Sequence, residues 1–199
     1  MIAIVDYGVG NLFSLSSSVR SLGAEVRVTH EAADLHAATH ILLPGVGAFG
    51  DAMAKLEATG LVPVLKKEVE TKPLLGICLG MQLLFDKSFE YGEHARPWAS
   101  LPGEVCPLAD DLTDASLKVP HIGWNALDIV PGRENDPLFK YVENGEYVYY
   151  VHSYSPKTAL LRPLLPASTA SLSPARCEAA MSTAPSSTRR NPAIPAFGC

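Results

Sequence analysis

The chain has 199 residues, 47% of them hydrophobic, which is enough for one α/β domain with a buried core and too little for two generous ones. A formal charge of −5 gives no electrostatic footprint for a phosphate backbone or an anionic membrane, so small molecules and proteins are the expected partners, with no nucleic acid and no membrane. No apolar run reaches transmembrane length, and Met1-Ile2-Ala3-Ile4 opens a strand rather than a basic leader; the expected location is the cytoplasm.

Short apolar runs at residues 2–6, 25–29, 40–43 and 74–78 end in polar or Gly-containing turns, as buried strands do; later candidates are 119–130 and 147–154. Between the first two runs, Asn11 can cap a helix whose Leu12, Leu15, Val19 and Leu22 share a face, with Gly23 in the terminator position. Residues 51–70 and 79–89 read as further helices. This alternation predicts an α/β fold with a mostly parallel sheet flanked by helices over residues 1–156. From 157 to 199 the chain turns to Pro, Ala, Ser and Thr without a sustained period, and an aberrant, poorly ordered tail is expected there.

Four cysteines stand at 78, 106, 177 and 199, with no C-x-x-C pair and no histidine at metal-ligand spacing, so neither a zinc site nor a disulfide framework is readable. Cys78 differs from the rest by its frame. Gly76-Ile77-Cys78-Leu79-Gly80 follows a strand and precedes a helix, the thiol form of a nucleophile elbow. Small neighbours permit a tight turn, and a helix N-terminus favours the attacking thiolate. For an arbitrary cysteine a buried, inert role is the better reading; the paired glycines reverse that preference. Leu43-Pro44-Gly45-Val46-Gly47 lies at another strand end, where backbone N–H groups could meet a developing oxyanion. Taken alone, Pro-Gly marks only a turn.

Together these residues resemble the class I glutamine amidotransferases, whose fold is a flavodoxin-like sheet. Gly76-Ile77-Cys78-Leu79-Gly80-Met81-Gln82 is a specific match. The resemblance implies Cys78 as the nucleophile, Gly45 and Gly47 as the oxyanion segment and Gln82 as a glutamine contact. Three more stretches are similar to the glutaminase subunits of imidazole glycerol phosphate synthase: Asp6-Tyr7-Gly8-Val9-Gly10-Asn11, Pro120-His121-Ile122-Gly123-Trp124-Asn125 and Tyr150-Val151-His152-Ser153-Tyr154. In isolation the first could be an ordinary strand-to-helix turn, and His121 with Trp124 a core pair. The subfamily resemblance implies a heterodimer with a cyclase subunit that uses ammonia in histidine biosynthesis. Pro120, His121, Trp124 and Asn125 would then face that partner, with His152 and Ser153 near the glutamine. It implies no metal or organic cofactor.

One departure stands out. The family's general base belongs to a later Q-F-H-P-E-K-S segment, whereas no histidine follows His152 and the only acidic residue after Glu146 is Glu178. A change of reading frame is the expected explanation, ahead of divergence. Residues 185–193 can be encoded as CCC AGT TCC ACC CGG AGA AAT CCG GCG, which from the third base reads Q-F-H-P-E-K-S-G. In the same register residues 168–184 can hide Y-G-V-P-F-T-G-A-V-R-S-G-N-V-Y-G-A. The alternative expectation is therefore a catalytically impaired homologue that at most binds the cyclase.

Overall fold

The computed structural model describes residues 1–92, 94–95, 101–112, 117–129, 139–157 and 181–182. The expectation of a poorly ordered tail lies outside these, apart from Lys157 and the pair Met181–Ser182.

The main sheet is built from β1 (Ile2–Val5), β2 (Val26–Thr29), β3 (His40–Gly45) and β4 (Leu74–Cys78), all parallel, with β11 (Met181–Ser182) antiparallel on its edge; the order is β11-β4-β3-β1-β2. Ala3, Ile4 and Val5 are consecutive and fully buried. A strand covered on both faces requires that pattern, and helices on the two sides of a parallel sheet supply the cover. α1 (Leu12–Ser21) starts where Asn11 Oδ1 accepts from the Ser14 N–H at 3.1 Å and stops where the Gly23 N–H donates to the Arg20 carbonyl, as the sequence predicts. Leu12, Leu15 and Val19 are half-buried, but Leu22 is exposed.

α2 (Ala32–Ala37), α3 (Phe49–Ala58) and α4 (Val62–Glu68) close the core, with Leu35, Phe49, Met53, Leu56 and Leu65 fully buried. Each such side chain contributes about 1.5–3 kcal/mol relative to exposure. The helix expected over 51–70 is two helices, because Gly60 turns to φ +71 and Pro63 opens the next one. Glu68 is buried between α2 and α4, bonded to His36 Nδ1 at 2.6 Å and to the Lys72 ammonium. Burial pushes its carboxyl up, but these two bonds outweigh it and hold the group below the ordinary range.

The helix expected over 79–89 is corrected. Only α5 (Leu79–Gln82) forms, and β5 (Phe85–Ser88) follows. Leu83, Leu84 and Phe85 are all buried, and three consecutive residues cannot share one helix face. The chain instead enters a second sheet with β6 (His94–Ala95), β7 (Leu101–Pro107) and β10 (Tyr154–Lys157), in the order β10-β7-β5-β6. A 3₁₀ turn, Leu108–Asp111, leaves β7. β8 (His121–Ala126) and β9 (Tyr147–His152) form a separate antiparallel pair. The run expected over 147–154 breaks at Ser153, whose carbonyl accepts from the Leu108 N–H.

Candidate active site

Cys78 is the last residue of β4 and the N-cap of α5, with φ 56° and ψ −122°. This left-handed region is costly for a residue with a Cβ, about 1–3 kcal/mol, and persists only where the surroundings impose it. Here they do. Gly45 is the register partner of Cys78 on β3, and a Cβ at Gly80 would lie against the Leu43 carbonyl oxygen. A Cβ at Gly45 would reach the Leu79 carbonyl carbon at 2.9 Å and the Tyr7 hydroxyl at 2.9 Å. The strand end and the first turn of α5 are thus in backbone contact, which only glycines allow. The half-buried thiol is held at the rim of this contact.

Beyond Gly45 the chain leaves the sheet. Val46 is exposed, and Gly47 takes φ +95° with nothing within 4 Å of its Cβ position, a backbone conformation that favours glycine. Gln82 closes α5, one turn from the thiol and half-buried. With four residues, α5 carries little macrodipole, so the thiolate gains less from the helix than the sequence suggests. Two residues to which the sequence assigns no role of their own also hold this region. The Tyr7 hydroxyl donates to the Pro44 carbonyl at 2.6 Å, and Glu90 Oε2 accepts from the Phe49 N–H at 2.6 Å, binding the segment after β5 to the start of α3. Neither has a sequence signature, since both depend on contacts about forty residues apart.

His152 and Ser153 lie at the junction of β9 and β10. Both ring nitrogens of His152 are engaged: Nε2 with His121 Nδ1 at 3.0 Å and Nδ1 with the Tyr154 carbonyl at 3.1 Å. Burial and the neighbouring His121 lower its pKa, against the opposing Tyr154 carbonyl. His121 Nε2 meets Asn125 Oδ1 at 2.8 Å, so His121, Asn125 and His152 share the inner face of the β8–β9 pair. Trp124 points the other way with Ile122, Tyr147, Tyr149 and Val151, all exposed, and its ring centroid lies 5.5 Å from that of Tyr149. Pro120 precedes β8 and is exposed. Among the described residues no group of three or more His, Cys, Asp or Glu could hold a metal ion, and no helix is long and apolar enough to cross a membrane.

A strained thiol at a strand-to-helix turn, in backbone contact with a glycine-rich strand end, defines a cysteine elbow suited to acyl transfer. A family model described as "Glutamine amidotransferase class-I" matches residues 3–185. Imidazole glycerol phosphate synthase subunit HisH of Syntrophotalea carbinolica is 45% identical over 157 residues, 77% of this chain and 74% of that protein. The subunit HisH of Wolinella succinogenes is 44% identical over 155 residues, again 77% of this chain and 74% of that protein. A solved structure described as "Crystal structure of glutamine amidotransferase" aligns with TM-score 0.58 at 17% identity, over 79% of this chain and 75% of that one, a likeness of fold. The chain belongs to the class-I glutamine amidotransferase family, in the branch of the HisH subunits.

Proposed function

We propose that this chain is the glutaminase subunit of a cytoplasmic imidazole glycerol phosphate synthase. The supporting observation is the strained Cys78 elbow set opposite Gly45. In this reading the Cys78 thiolate attacks the side-chain amide carbon of glutamine. Backbone donors of the Gly45–Gly47 segment carry the oxyanion, ammonia leaves, and water releases glutamate from the thioester. Gln82, His152 and Ser153 contact the glutamine. A cyclase subunit docks along residues 120–125, with Pro120 and Trp124 on the exposed side and His121 and Asn125 supporting the segment from the inner face, forming a heterodimer that consumes the ammonia, and no metal or organic cofactor takes part.

A second reading, a catalytically impaired homologue that binds the cyclase, is favoured by one feature. Residues 153–199 hold no histidine, and both ring nitrogens of His152 are already engaged. Thiol attack and amine departure both need a proton carrier, worth roughly 10²–10⁴-fold.

The nucleophile assignment is tested by a chloroketone analogue of L-glutamine, from which the thiolate displaces chloride to form a C–S bond. At pH 9 much of an ordinary thiol, with its pKa near 8.5, is ionised without a base. Peptide mass spectrometry should find the adduct on Cys78, with none in Cys78→Ser. Equal labelling by the D-enantiomer would show that no glutamine pocket surrounds the thiol.

A further inference from the structure

We propose that the turn after β1 is a brace for the oxyanion strand, and that Tyr7 is its positioning residue, acting on Cys78 chemistry through Pro44. The inference rests on the glutaminase reading given above.

β1 supports β3 only through Ile2, Ala3 and Ile4, paired with His40, Ile41 and Leu42. β3 runs three residues further, to Gly45, and on that stretch its ladder continues on the β4 side alone, where Leu43, Pro44 and Gly45 face Gly76, Ile77 and Cys78. Pro44 adds a second weakness, because it has no N–H to give to either neighbour. The last residues of β3, like Gly76, Ile77 and Cys78 of β4, are therefore held by a ladder on one side only.

The Asp6–Asn11 turn fills the gap. Asp6 continues the β1–β2 side, its N–H donating to the Thr29 carbonyl, and its Oδ1 accepts from the Gly8 N–H at 3.1 Å. That turn throws the Tyr7 ring inward, where it is 4% exposed. The hydroxyl then donates to the Pro44 carbonyl at 2.6 Å. The Cβ position of Gly10 comes within 3.0 Å of Pro44 Cβ, so the same turn also packs on the proline ring.

The consequence for the thiol follows from peptide planarity. The Pro44 carbonyl and the Gly45 N–H belong to one trans peptide unit, so fixing the oxygen fixes the opposite direction of the N–H. Gly45 is the register partner of Cys78 and touches the first turn of α5. A buried tyrosine hydroxyl ordinarily takes whatever acceptor is near; here the acceptor belongs to a peptide of the strand end that β4 supports on one side and that touches the elbow. Burial, with Cys78 adding to it, raises the Tyr7 phenol well above its ordinary range, so the hydroxyl remains a donor wherever the thiolate is active and does not itself exchange protons with substrate.

The test compares Tyr7→Phe with the unaltered full chain, using the chloroketone analogue of L-glutamine and, separately, iodoacetamide, which reads thiol exposure alone. Phenylalanine keeps the ring in place. The ratio of the two labelling rates at Cys78 should fall about tenfold or more in Tyr7→Phe, within the 10²-fold that a misplaced group can cost. 3,5-Difluorotyrosine at position 7 keeps the donor and should keep the ratio. Thermal midpoints are recorded alongside. An unchanged ratio overturns the inference, as does a parallel loss with both reagents, which would mark Tyr7 as a packing residue only. If the unaltered chain reacts with iodoacetamide but not with the L-analogue, the glutaminase reading fails and the brace with it.

Discussion

The main sheet and the β8–β9 pair use the same extended backbone to opposite ends. In the sheet, consecutive residues such as Ala3, Ile4 and Val5 are all removed from water, whereas in the pair burial alternates, with His121 and Asn125 inward and Ile122 and Trp124 outward. The first pattern fixes backbone positions from both faces, which is what a thiol at φ 56° requires. The second leaves a two-strand apolar patch in solvent, and such a patch commonly serves a partner surface. One region therefore spends its apolar residues on holding an active geometry, and the other keeps them available for recognition.

Substitutions should separate the two regions. The largest effect is expected for Gly80→Ala, whose Cβ would meet the Leu43 carbonyl and force β3 and α5 apart. Overpacking against backbone should cost about 3 kcal/mol in urea unfolding, together with loss of Cys78 labelling by the L-glutamine analogue. A cost below about 0.5 kcal/mol, the range of surface substitutions, would mean that the elbow is not in backbone contact. Trp124→Ala should do the reverse. Stability should change by less than about 0.5 kcal/mol, while affinity for the cyclase, measured by calorimetry, should drop by about 2 kcal/mol as for a buried aromatic anchor. Unchanged affinity would remove the outer face of the pair from the interface.

Much of the inner region was legible in the sequence because its signals are local. Asn11 and Gly23 bound α1 by hydrogen bonds within four residues, and the apolar runs ending at Cys78 and near Gly45 mark their own strands. The family and its mostly parallel fold followed from the same residues. What stayed hidden depends on distant partners. Residues 79–89 read as one helix by their pattern, yet Phe85 and Ser88 are buried in β5, paired with β7 more than a dozen residues away, and tertiary pairing overrides propensity in such short segments. The Tyr7–Pro44 and His121–His152 bonds span 37 and 31 residues. No pattern within either segment announces them.

The Cys78 elbow has the geometry of an acyl acceptor, while the sequence after His152 holds no histidine that could serve as its general base. The most direct measurement is glutamate release in the presence of purified cyclase, comparing this chain with one whose residues 168–193 are replaced by the shifted-frame reading that ends in Q-F-H-P-E-K-S-G. Turnover of the replaced chain should exceed that of the original by at least about 10²-fold, the lower range of general acid–base catalysis. Equal and measurable turnover by both chains would contradict this, since the original chain would then already supply a base.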